Sequence, residues 1–268
     1  MIDAGKHPVL GVRIDAVDYE SAVARIANAA ECHTSLAVSA LAVHGVMSGA
    51  LDASHARRLN GLDLVVPDGQ PLRWALRWLH GIDLPDRVYG PELMLRTAAA
   101  LEERGLPVYL YGSRCDVLDD LEQFLASRFP RLKVAGSRPS RFERVSPDDF
   151  KALLAAIEAS GARCLFLGLG CPRQEVFAFE TRNRLNMPVL AVGAAFEFHS
   201  GRRPQAPRWM QARGLEWLYR LAEEPSRLWR RYLLLNPLYL AGLAIQRLAP
   251  GAFSPDMPDG SEPKEYYA

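Results

Sequence analysis

Short apolar runs alternate with amphipathic segments along most of the chain. The apolar runs have strand length and end in turn residues, as where 62–66 is followed by Pro-Asp-Gly. The segments between them carry apolar residues at helical spacing, as in 18–30, where Asp18 is suited to cap the helix and Ile26 lies on its apolar face. This alternation predicts an α/β fold with a parallel sheet and helices on both of its faces.

The same pattern sets the expected order of elements. Each candidate loop below follows a predicted strand, and ligands of such sheets bind at the carboxyl ends of the strands. Strands are expected at 8–17 (with a turn), 35–43, 62–66, 108–111, 132–135, 164–167 and 188–192, and helices at 18–30, 45–59, 71–80, 91–104, 116–129, 146–160 and from 173.

Charge divides the chain into a core at 1–200, a helical appendage at 201–249 and a tail at 250–268. Residues 202–247 hold nine arginines and three acids, a balance of +6 in a chain whose total is +1, so the remainder sums to −5. Tryptophan and leucine are interleaved with these arginines, which favours contact with an anionic surface or ligand. The tail is rich in Pro, Gly, Ser and acids and is expected to be disordered.

Composition narrows the protein class further. The four cysteines are scattered and form no CxxC pair, which favours reduced thiols and gives no zinc-ligand spacing. The N-terminus has no signal-peptide pattern, and no apolar stretch is long enough to span a bilayer. The 14 residues 232–245, interrupted by Pro237, fit a segment lying on a bilayer or docked on the protein.

Asp68 is the leading candidate for chemistry. At the end of a buried-type strand it could act as a general base on an incoming hydroxyl. It could equally cap the helix that starts near Pro71. Spacing alone leaves both interpretations open.

Two further strand ends carry glycine loops before helices. The first is LYGS, with Gly112, and the second is FLGLGCPRQE, with Gly170, Arg173 and Gln174. Backbone N–H groups at a helix start suit phosphate, although neither loop is a dinucleotide or Walker motif. His199, beside two phenylalanines, could be an acid or base, but a half-buried, hydrogen-bonded role is the commoner one.

In the appendage, Arg220, Arg227 and Arg230 are spaced by seven and three, so one helix would place them on one face. Guanidinium groups match pyrophosphate geometry. Pro225 is expected to break the helix, in which case the stripe would be assembled across a turn. No acidic pair suited to holding a sugar nucleotide through a metal occurs, so no metal or other cofactor is expected.

Several strings together resemble the WecG/TagA/CpsF glycosyltransferases, glycosyltransferase family 26. The similarity extends from about Pro8 to Leu248. The strings are VVPDGQPLRWAL, RVYGPELML, FLGLGCPRQE, VGAAFEFHSGRRPQAPRWMQARGLEWLYRLAEEPSRLWRRY and NPLYL.

The resemblance implies a Rossmann-like core and an inverting, metal-independent transferase. Such an enzyme moves a sugar from a UDP-sugar to a polyprenyl-diphosphate-linked saccharide in the synthesis of bacterial exopolysaccharide or other cell-surface polysaccharide. It would be cytoplasmic, peripheral on the inner face of the cytoplasmic membrane, with the appendage completing the site at the anionic membrane surface.

Motif positions carry the family's roles onto this chain. The catalytic aspartate falls on Asp68, the loop glutamine on Gln174 and the three appendage arginines on Arg220, Arg227 and Arg230. One departure is clear: the family usually has Thr-x-Asn where this chain has Ala40 and Ala42. Ser39 and His44 are the neighbours that could supply polar groups instead.

The alternative to an enzyme is a non-catalytic nucleotide-sugar-binding or scaffold protein of the same fold in a polysaccharide assembly complex. The alanines at 40 and 42 favour it. Nucleic-acid binding is not expected, because the basic residues are interleaved with Trp and Leu while the body is acidic. The sequence leaves open the sugar, the acceptor glycan and the oligomeric state, a homo-oligomer included.

Overall fold

A computed structural model of the chain describes residues 1–253 and 265–267. Its centre is a six-stranded sheet in the order β4-β3-β8-β7-β5-β6, with every neighbouring pair parallel. Within the described residues the strands are β1 Asp3–Val9, β2 Val12–Val17, β3 Leu36–Leu41, β4 Leu64–Pro67, β5 Val108–Gly112, β6 Val134–Arg138, β7 Cys164–Gly168 and β8 Pro188–Ala191.

Helices connect the strands and cover the sheet, and two apolar clusters fill the space between the layers. The expected α/β architecture is therefore confirmed. The helices of the core are α1 Tyr19–Glu31, α2 Val43–Leu51, α3 Ala53–Asn60, α4 Gln70–His80, α5 Gly90–Glu103, α6 Cys115–Arg128, α7 Pro147–Ala159, α8 Arg173–Thr181 and α9 Ala195–His199.

The N-terminal region differs from the prediction of one strand and a turn. It is an antiparallel hairpin, β1–β2, whose turn places Leu10 at φ 50° and Gly11 at φ 81°. The hairpin is anchored to the sheet by buried Asp15, whose carboxylate accepts from the Val65 N–H at 2.7 Å and pairs with Lys6 at 2.7 Å. The pattern missed β1 because its first residues are exposed and polar.

The single helix expected at 45–59 is also wrong. Asp52 has extended backbone angles and ends α2. Its side chain then caps α3, accepting from the N–H groups of Ser54 at 2.9 Å and His55 at 3.2 Å. An aspartate in an apolar-periodic segment can thus separate two helices, because its carboxylate satisfies N–H groups at the start of the second.

The appendage consists of α10 Arg208–Ala212, α11 Glu216–Glu223 and α12 Pro225–Leu248. As expected, Pro225 breaks the helix: it is the first residue of α12, after α11 has ended. α12 packs on α2 and α4, with the buried Tyr239 hydroxyl donating to Pro71 O at 3.1 Å. Gln246 anchors the C-terminal part of α12: its side chain accepts a hydrogen bond from the Leu10 N–H and donates one to Pro8 O.

Part of the tail predicted to be disordered has a defined position. Residues Pro250–Ala252 form a short 3₁₀ helix. The ring of Tyr266 stacks on that of Phe150, with 4.5 Å between the ring centres. The backbone of Tyr267 forms an isolated antiparallel β-bridge with that of Arg144. The prediction for 254–264 and 268 lies outside the described residues.

Candidate active site

A cavity of about 960 Å³ opens at the carboxyl ends of the parallel strands. The loops that follow β3, β4, β5, β7 and β8 form its floor, and α11 and α12 of the appendage form its roof. Its polar lining comes mainly from His44, Asp68, Gln70, Arg87, Ser113, Gln174, Glu175, Glu197, Arg203, Glu216, Arg220, Glu224, Arg227 and Asn236. This size is within the usual range for small-molecule sites.

Asp68 follows directly on β4. Its own N–H donates to Leu41 O at the end of β3 at 2.9 Å, which fixes the backbone. In the described chain, the N-cap residue of α4 is Gly69 and no side chain caps the helix, so helix capping does not account for Asp68. The carboxylate instead accepts from the Gly90 N–H and faces the cavity. A side chain at Gly90 would crowd it, because a Cβ there would lie 3.3 Å from Oδ2 of Asp68.

The surroundings of Asp68 shift the pKa of its carboxyl toward neutral pH. Burial is the main cause and raises the pKa of its carboxyl to about 7; Arg87 opposes the rise and Glu216 adds to it. The Gly90 N–H and Arg220 also favour the ionised form. A carboxylate with a pKa near the working pH is well matched to general-base catalysis.

Arg87 is the residue that links Asp68 to the appendage. It is only 5% exposed, forms an ion pair with Glu216 of α11, and donates to Gln211 Oε1 at 3.2 Å. Its guanidinium also lies 4.2 Å from the centre of the Tyr89 ring. The sequence pattern gives Arg87 and Glu216 no role, because Arg87 follows a predicted helix and not a predicted strand.

The pH dependence of kcat/KM should report this arrangement. Only ionised Asp68 can accept a proton, so activity should rise toward pH 7 and level off above it. Glu216→Gln removes a negative charge, and that charge raises the pKa of Asp68. The substitution also frees Arg87 from its ion pair, and the guanidinium of Arg87 lowers the pKa of Asp68. Both changes should move the acidic limb to lower pH in a pH–rate profile. A limb that stays in place or moves upward would rule out this electrostatic arrangement.

The three arginines of the predicted stripe occupy different positions. Arg220 on α11 and Arg227 on α12 line the cavity, whereas Arg230, in the described residues, lies outside it with its guanidinium 5.3 Å from the Trp229 ring centre. Arg227 pairs with Glu224, which also pairs with Arg203 at 2.6 Å. A turn, not one helix face, therefore brings Arg220 and Arg227 together.

Arg220 has the strongest structural reason to bind an anion. Its Nε is buried, and among the described residues it has no hydrogen-bond partner. Buried donors are nearly always paired, so this group is available for a ligand. Asp68 in the same cavity is close enough for Arg220 to favour its ionised form.

The loop between β7 and α8 is closed by its own side chains. Gln174 is 4% exposed, accepts from the Gly170 N–H at 3.2 Å and donates to Glu175 Oε1 at 2.8 Å. Gly170 and Gln174 line the cavity. Arg173, within the described part, does not line it, but its guanidinium lies 5.6 Å from the ring centre of Phe142, which does. Gln174 thus shapes the loop as well as facing the cavity.

The LYGS loop meets the cavity through Ser113. Gly112, the predicted ligand-binding residue, lies in β5 at φ 110°, where an added Cβ would come within 2.7 Å of Gly168 backbone. The Ser113 N–H is already bonded to Gly168 O at 3.1 Å. Glycine at 112 is therefore needed for the close approach of two strand ends.

Comparison with known proteins assigns the family. The chain matches the family described as Glycosyl transferase WecG/TagA/CpsF over residues 7–252. The protein belongs to this family. The WecG/TagA/CpsF family implies a glycosyltransferase of cell-surface polysaccharide synthesis, acting on a sugar donor and a lipid-linked acceptor.

Within this glycosyltransferase, the two unusual alanines both line the cavity. Ala40 lies at the end of β3 near Gly90, the residue that donates to Asp68. His44, on the first turn of α2, also faces the cavity, and its Nδ1 lies 3.0 Å from Ser48 Oγ. Ser39 points to the other side of this wall, where its hydroxyl donates to Glu175 at 3.1 Å.

Ala42 occupies the N-cap of α2 and leaves it without a side-chain cap in the described structure. Its angles, φ −101° and ψ 177°, suit a capping residue. Ala42→Asn should therefore raise stability by about 1 kcal/mol and the thermal midpoint by about 2–4 °C, as measured by calorimetry. Ala42→Leu, of similar size but without a capping oxygen, should give no such gain; an equal gain would mean that the effect is packing.

His199 is buried outside the cavity among the described residues. Its Nε2 lies 3.0 Å from Pro91 O, and its ring stacks on Phe124 at 5.3 Å. Burial lowers the pKa of the imidazole. The packed, hydrogen-bonded alternative is therefore favoured over an acid–base role.

Proposed function

We propose that this protein transfers a sugar from a UDP-sugar to a saccharide linked to polyprenyl diphosphate, with inversion at the anomeric carbon and without a catalytic metal. The observation that carries the proposal is Asp68, with a pKa of about 7, in the same cavity as Arg220 and Arg227. One group is suited to take a proton, and the others are suited to bind phosphate.

The chemistry requires one base and one anion site. Asp68 removes the proton of the acceptor hydroxyl as its oxygen bonds to the anomeric carbon. The bond from that carbon to the diphosphate breaks on the opposite face, and its electron pair leaves with UDP. Arg220 and Arg227 stabilise the negative charge that develops on the leaving diphosphate, which is the role that metal-independent transfer requires of the protein.

A group of paired charges in the cavity lining supports a diphosphate ligand as well. Arg203 and Arg227 are both held by Glu224, so their guanidinium groups are oriented before a ligand arrives. An incoming diphosphate would replace the Glu224 carboxylate at the guanidinium groups of these arginines, because both anions can accept two hydrogen bonds from a guanidinium. The appendage thus contributes guanidinium groups to the cavity.

The donor can be identified by stabilisation. A panel of UDP-sugars, with N-acetylmannosamine, glucose, glucuronic acid and mannose types among them, should include at least one that raises the thermal midpoint, because a ligand of the folded state stabilises it. Arg220→Ala should abolish that shift. If UDP itself and all of the sugars leave the midpoint unchanged, the nucleotide assignment is wrong.

A second function is favoured by Ala40 and Ala42, which make part of the cavity wall apolar where the resemblance implies polar groups. A protein that binds the nucleotide sugar without transferring it would serve as a scaffold in a polysaccharide assembly complex. It would show the same thermal shift but release no UDP when both substrates are present.

We place the protein at the membrane surface through the appendage. Along α12, large apolar side chains are exposed, among them Leu234 at 54% and Leu238 at 51%, one helical turn apart. They lie on the helix that carries Arg227 and Arg230, a combination typical of interfacial helices. Within the described residues, no helix combines the length and hydropathy needed to cross a bilayer.

Leu234→Asp/Leu238→Asp should weaken binding to vesicles containing anionic phospholipid by at least about tenfold, because burying each leucine is worth roughly 1.5–3 kcal/mol. Co-sedimentation measures the bound fraction. Leu51→Asp is the matched control, since Leu51 is 67% exposed on α2. Equal sedimentation of the double variant and wild type would show that α12 does not contact the membrane.

A further inference from the structure

A second group of reactive side chains lies in the wall of the cavity, at the contact between α3 and α8. A ring nitrogen of His55, the Cys171 sulfur and a carboxylate oxygen of Glu175 all lie within 4.8 Å of one another. Cys171 and Glu175 face the cavity, whereas His55 approaches from the protein side. The proposed transfer reaction uses none of the three.

Two of these side chains carry polar atoms that the fold leaves unsatisfied. His55 is 4% exposed and Glu175 is 1% exposed. Across the residues that the structure describes, neither Nε2 of His55 nor Oε2 of Glu175 has a hydrogen-bond partner. Buried polar atoms are paired in the great majority of cases, and an orphaned pair beside a thiol calls for a ligand that can accept lone pairs from both.

The other oxygen of Glu175 is held firmly. Its Oε1 accepts from Ser39 Oγ at 3.1 Å and from Gln174 Nε2 at 2.8 Å. These two bonds fix the carboxylate and leave Oε2 as the available ligand atom. Such support of a ligand by neighbouring donors is a regular feature of metal sites.

The charges of the group also fit a divalent cation. A metal binds the neutral imidazole of a histidine and the deprotonated forms of cysteine and glutamate. The Cys171 thiol bonds to the Glu175 carboxyl, and metal binding would replace this bond by one metal bond from each residue. A divalent ion bound to one thiolate, one carboxylate and a neutral imidazole gives a net charge of zero, which removes the cost of burying either anion alone.

We propose that His55, Cys171 and Glu175 form a binding site for Zn²⁺ or a similar borderline-soft divalent ion. Sulfur, nitrogen and oxygen ligands in one set favour zinc and disfavour magnesium and calcium. Zinc bond lengths place ligand atoms about 3.5 Å apart, so closure requires movements of roughly 1 Å or less. Two of the three ligands, Cys171 and Glu175, line the cavity, so water can reach an ion bound to them.

Binding involves no redox change. The Cys171 proton, and the proton of any protonated Glu175, leave to solvent as the sulfur and the oxygen each donate a lone pair to the ion. The ion links α3 to the start of α8, the helix that carries Gln174. Asp68 is not one of the ligands, so the proposed base does not bind the ion.

Nearby charges modify the site without filling it. Arg58 lies close enough to His55 to disfavour a cation, while Asp52 and Glu265 act in the opposite direction. Arg58 itself is paired with Glu265 at 3.8 Å. The two carboxylates outnumber the guanidinium, so the surroundings do not repel the ion.

The test uses tag-free, chelator-treated full-length protein and cobalt as a spectroscopic substitute for zinc. Cys32→Ser/Cys115→Ser is the background, because both of these thiols are exposed and could bind cobalt adventitiously. Titration with Co²⁺ should produce a thiolate-to-metal charge-transfer band that saturates at one equivalent and disappears when one equivalent of Zn²⁺ is added. Zn²⁺ alone should raise the thermal midpoint.

Variants in the same background separate this site from others. Cys171→Ser should abolish the charge-transfer band, and His55→Ala should weaken Co²⁺ binding by at least tenfold. His80→Asn is the control and should leave the titration unchanged, although the ring of His80 lies 5.1 Å from that of His7 and the two offer a second pair of imidazoles.

Three results would overturn the proposal. These are no charge-transfer band in the folded background protein, a band that persists in Cys171→Ser, and a binding constant unaffected by His55→Ala. The first result needs no ligand variant, so the proposal can fail even where a variant does not fold. Far-ultraviolet circular dichroism confirms the fold of each protein before titration.

Discussion

Asp68→Asn should lower kcat by about 10²- to 10⁴-fold, which is the usual contribution of a general base. The amide is nearly isosteric with the carboxylate but cannot accept a proton at neutral pH. Binding of the UDP-sugar should change little, because the base acts on the acceptor hydroxyl. Steady-state release of UDP with saturating donor and acceptor measures kcat, and a thermal shift with donor alone measures binding.

The same variant has a built-in control for folding. The pKa of Asp68 is raised in the folded protein, so folding favours its protonated form, and its contribution to stability falls as pH rises from about 4 to about 7. Asp68→Asn removes this dependence and should be at least as stable as wild type at pH 8. Near-wild-type turnover in a folded Asp68→Asn protein would refute the general-base assignment.

Arg220→Ala should reduce kcat/KM by about 10²- to 10³-fold, comparable to the loss of one group that stabilises charge in a transition state. The guanidinium of Arg220 has a buried Nε without a partner in the described structure, so it is available to the leaving diphosphate. Arg220→Lys should recover only part of the activity, because an ammonium group cannot make the bidentate contact.

Arg230→Ala is the matched control for this experiment. Arg230 lies on the same appendage but outside the cavity in the part of the chain that the structure describes, so its loss should change kcat/KM by less than about threefold, as for a solvent-exposed group. The resemblance assigns a diphosphate role to Arg230 as well as Arg220. An equal loss of kcat/KM in Arg220→Ala and Arg230→Ala would support that assignment. It would contradict the conclusion that Arg220 binds the diphosphate and Arg230, outside the cavity, does not.

The order of strands and helices could be predicted because each buried strand is a continuous apolar run and each helix keeps an apolar face. Asp18 caps α1 as its position indicates. The β1 strand was missed because it is exposed. The split at Asp52 was missed because the pattern of apolar residues continues across it.

For the candidate site, the sequence could indicate residues that follow strands, and Asp68, Gln174 and Gly170 all reach one cavity. It could not indicate Arg87 or Glu216. Their ion pair joins a loop before α5 to a helix more than a hundred residues later, and no local spacing encodes such a contact.

The cluster of His55, Cys171 and Glu175 was missed for the same reason, because His55 is far from the other two along the chain. Sequence spacing argued against zinc because Cys and His residues are far apart along the chain. In the fold, however, Cys171 and Glu175 lie one helical turn apart, and α3 brings His55 beside them. The four-residue spacing of Cys171 and Glu175 was the only local signal.

Acceptor-dependent release of UDP tests the central claim most directly. Wild-type protein is mixed with the UDP-sugar that stabilises it, in EDTA, with and without a saccharide linked to polyprenyl diphosphate. We predict rapid release of UDP only when both substrates are present, with the sugar recovered on the lipid-linked product. Donor binding without acceptor-dependent release, with or without added divalent metal, would contradict a transferase and favour the scaffold.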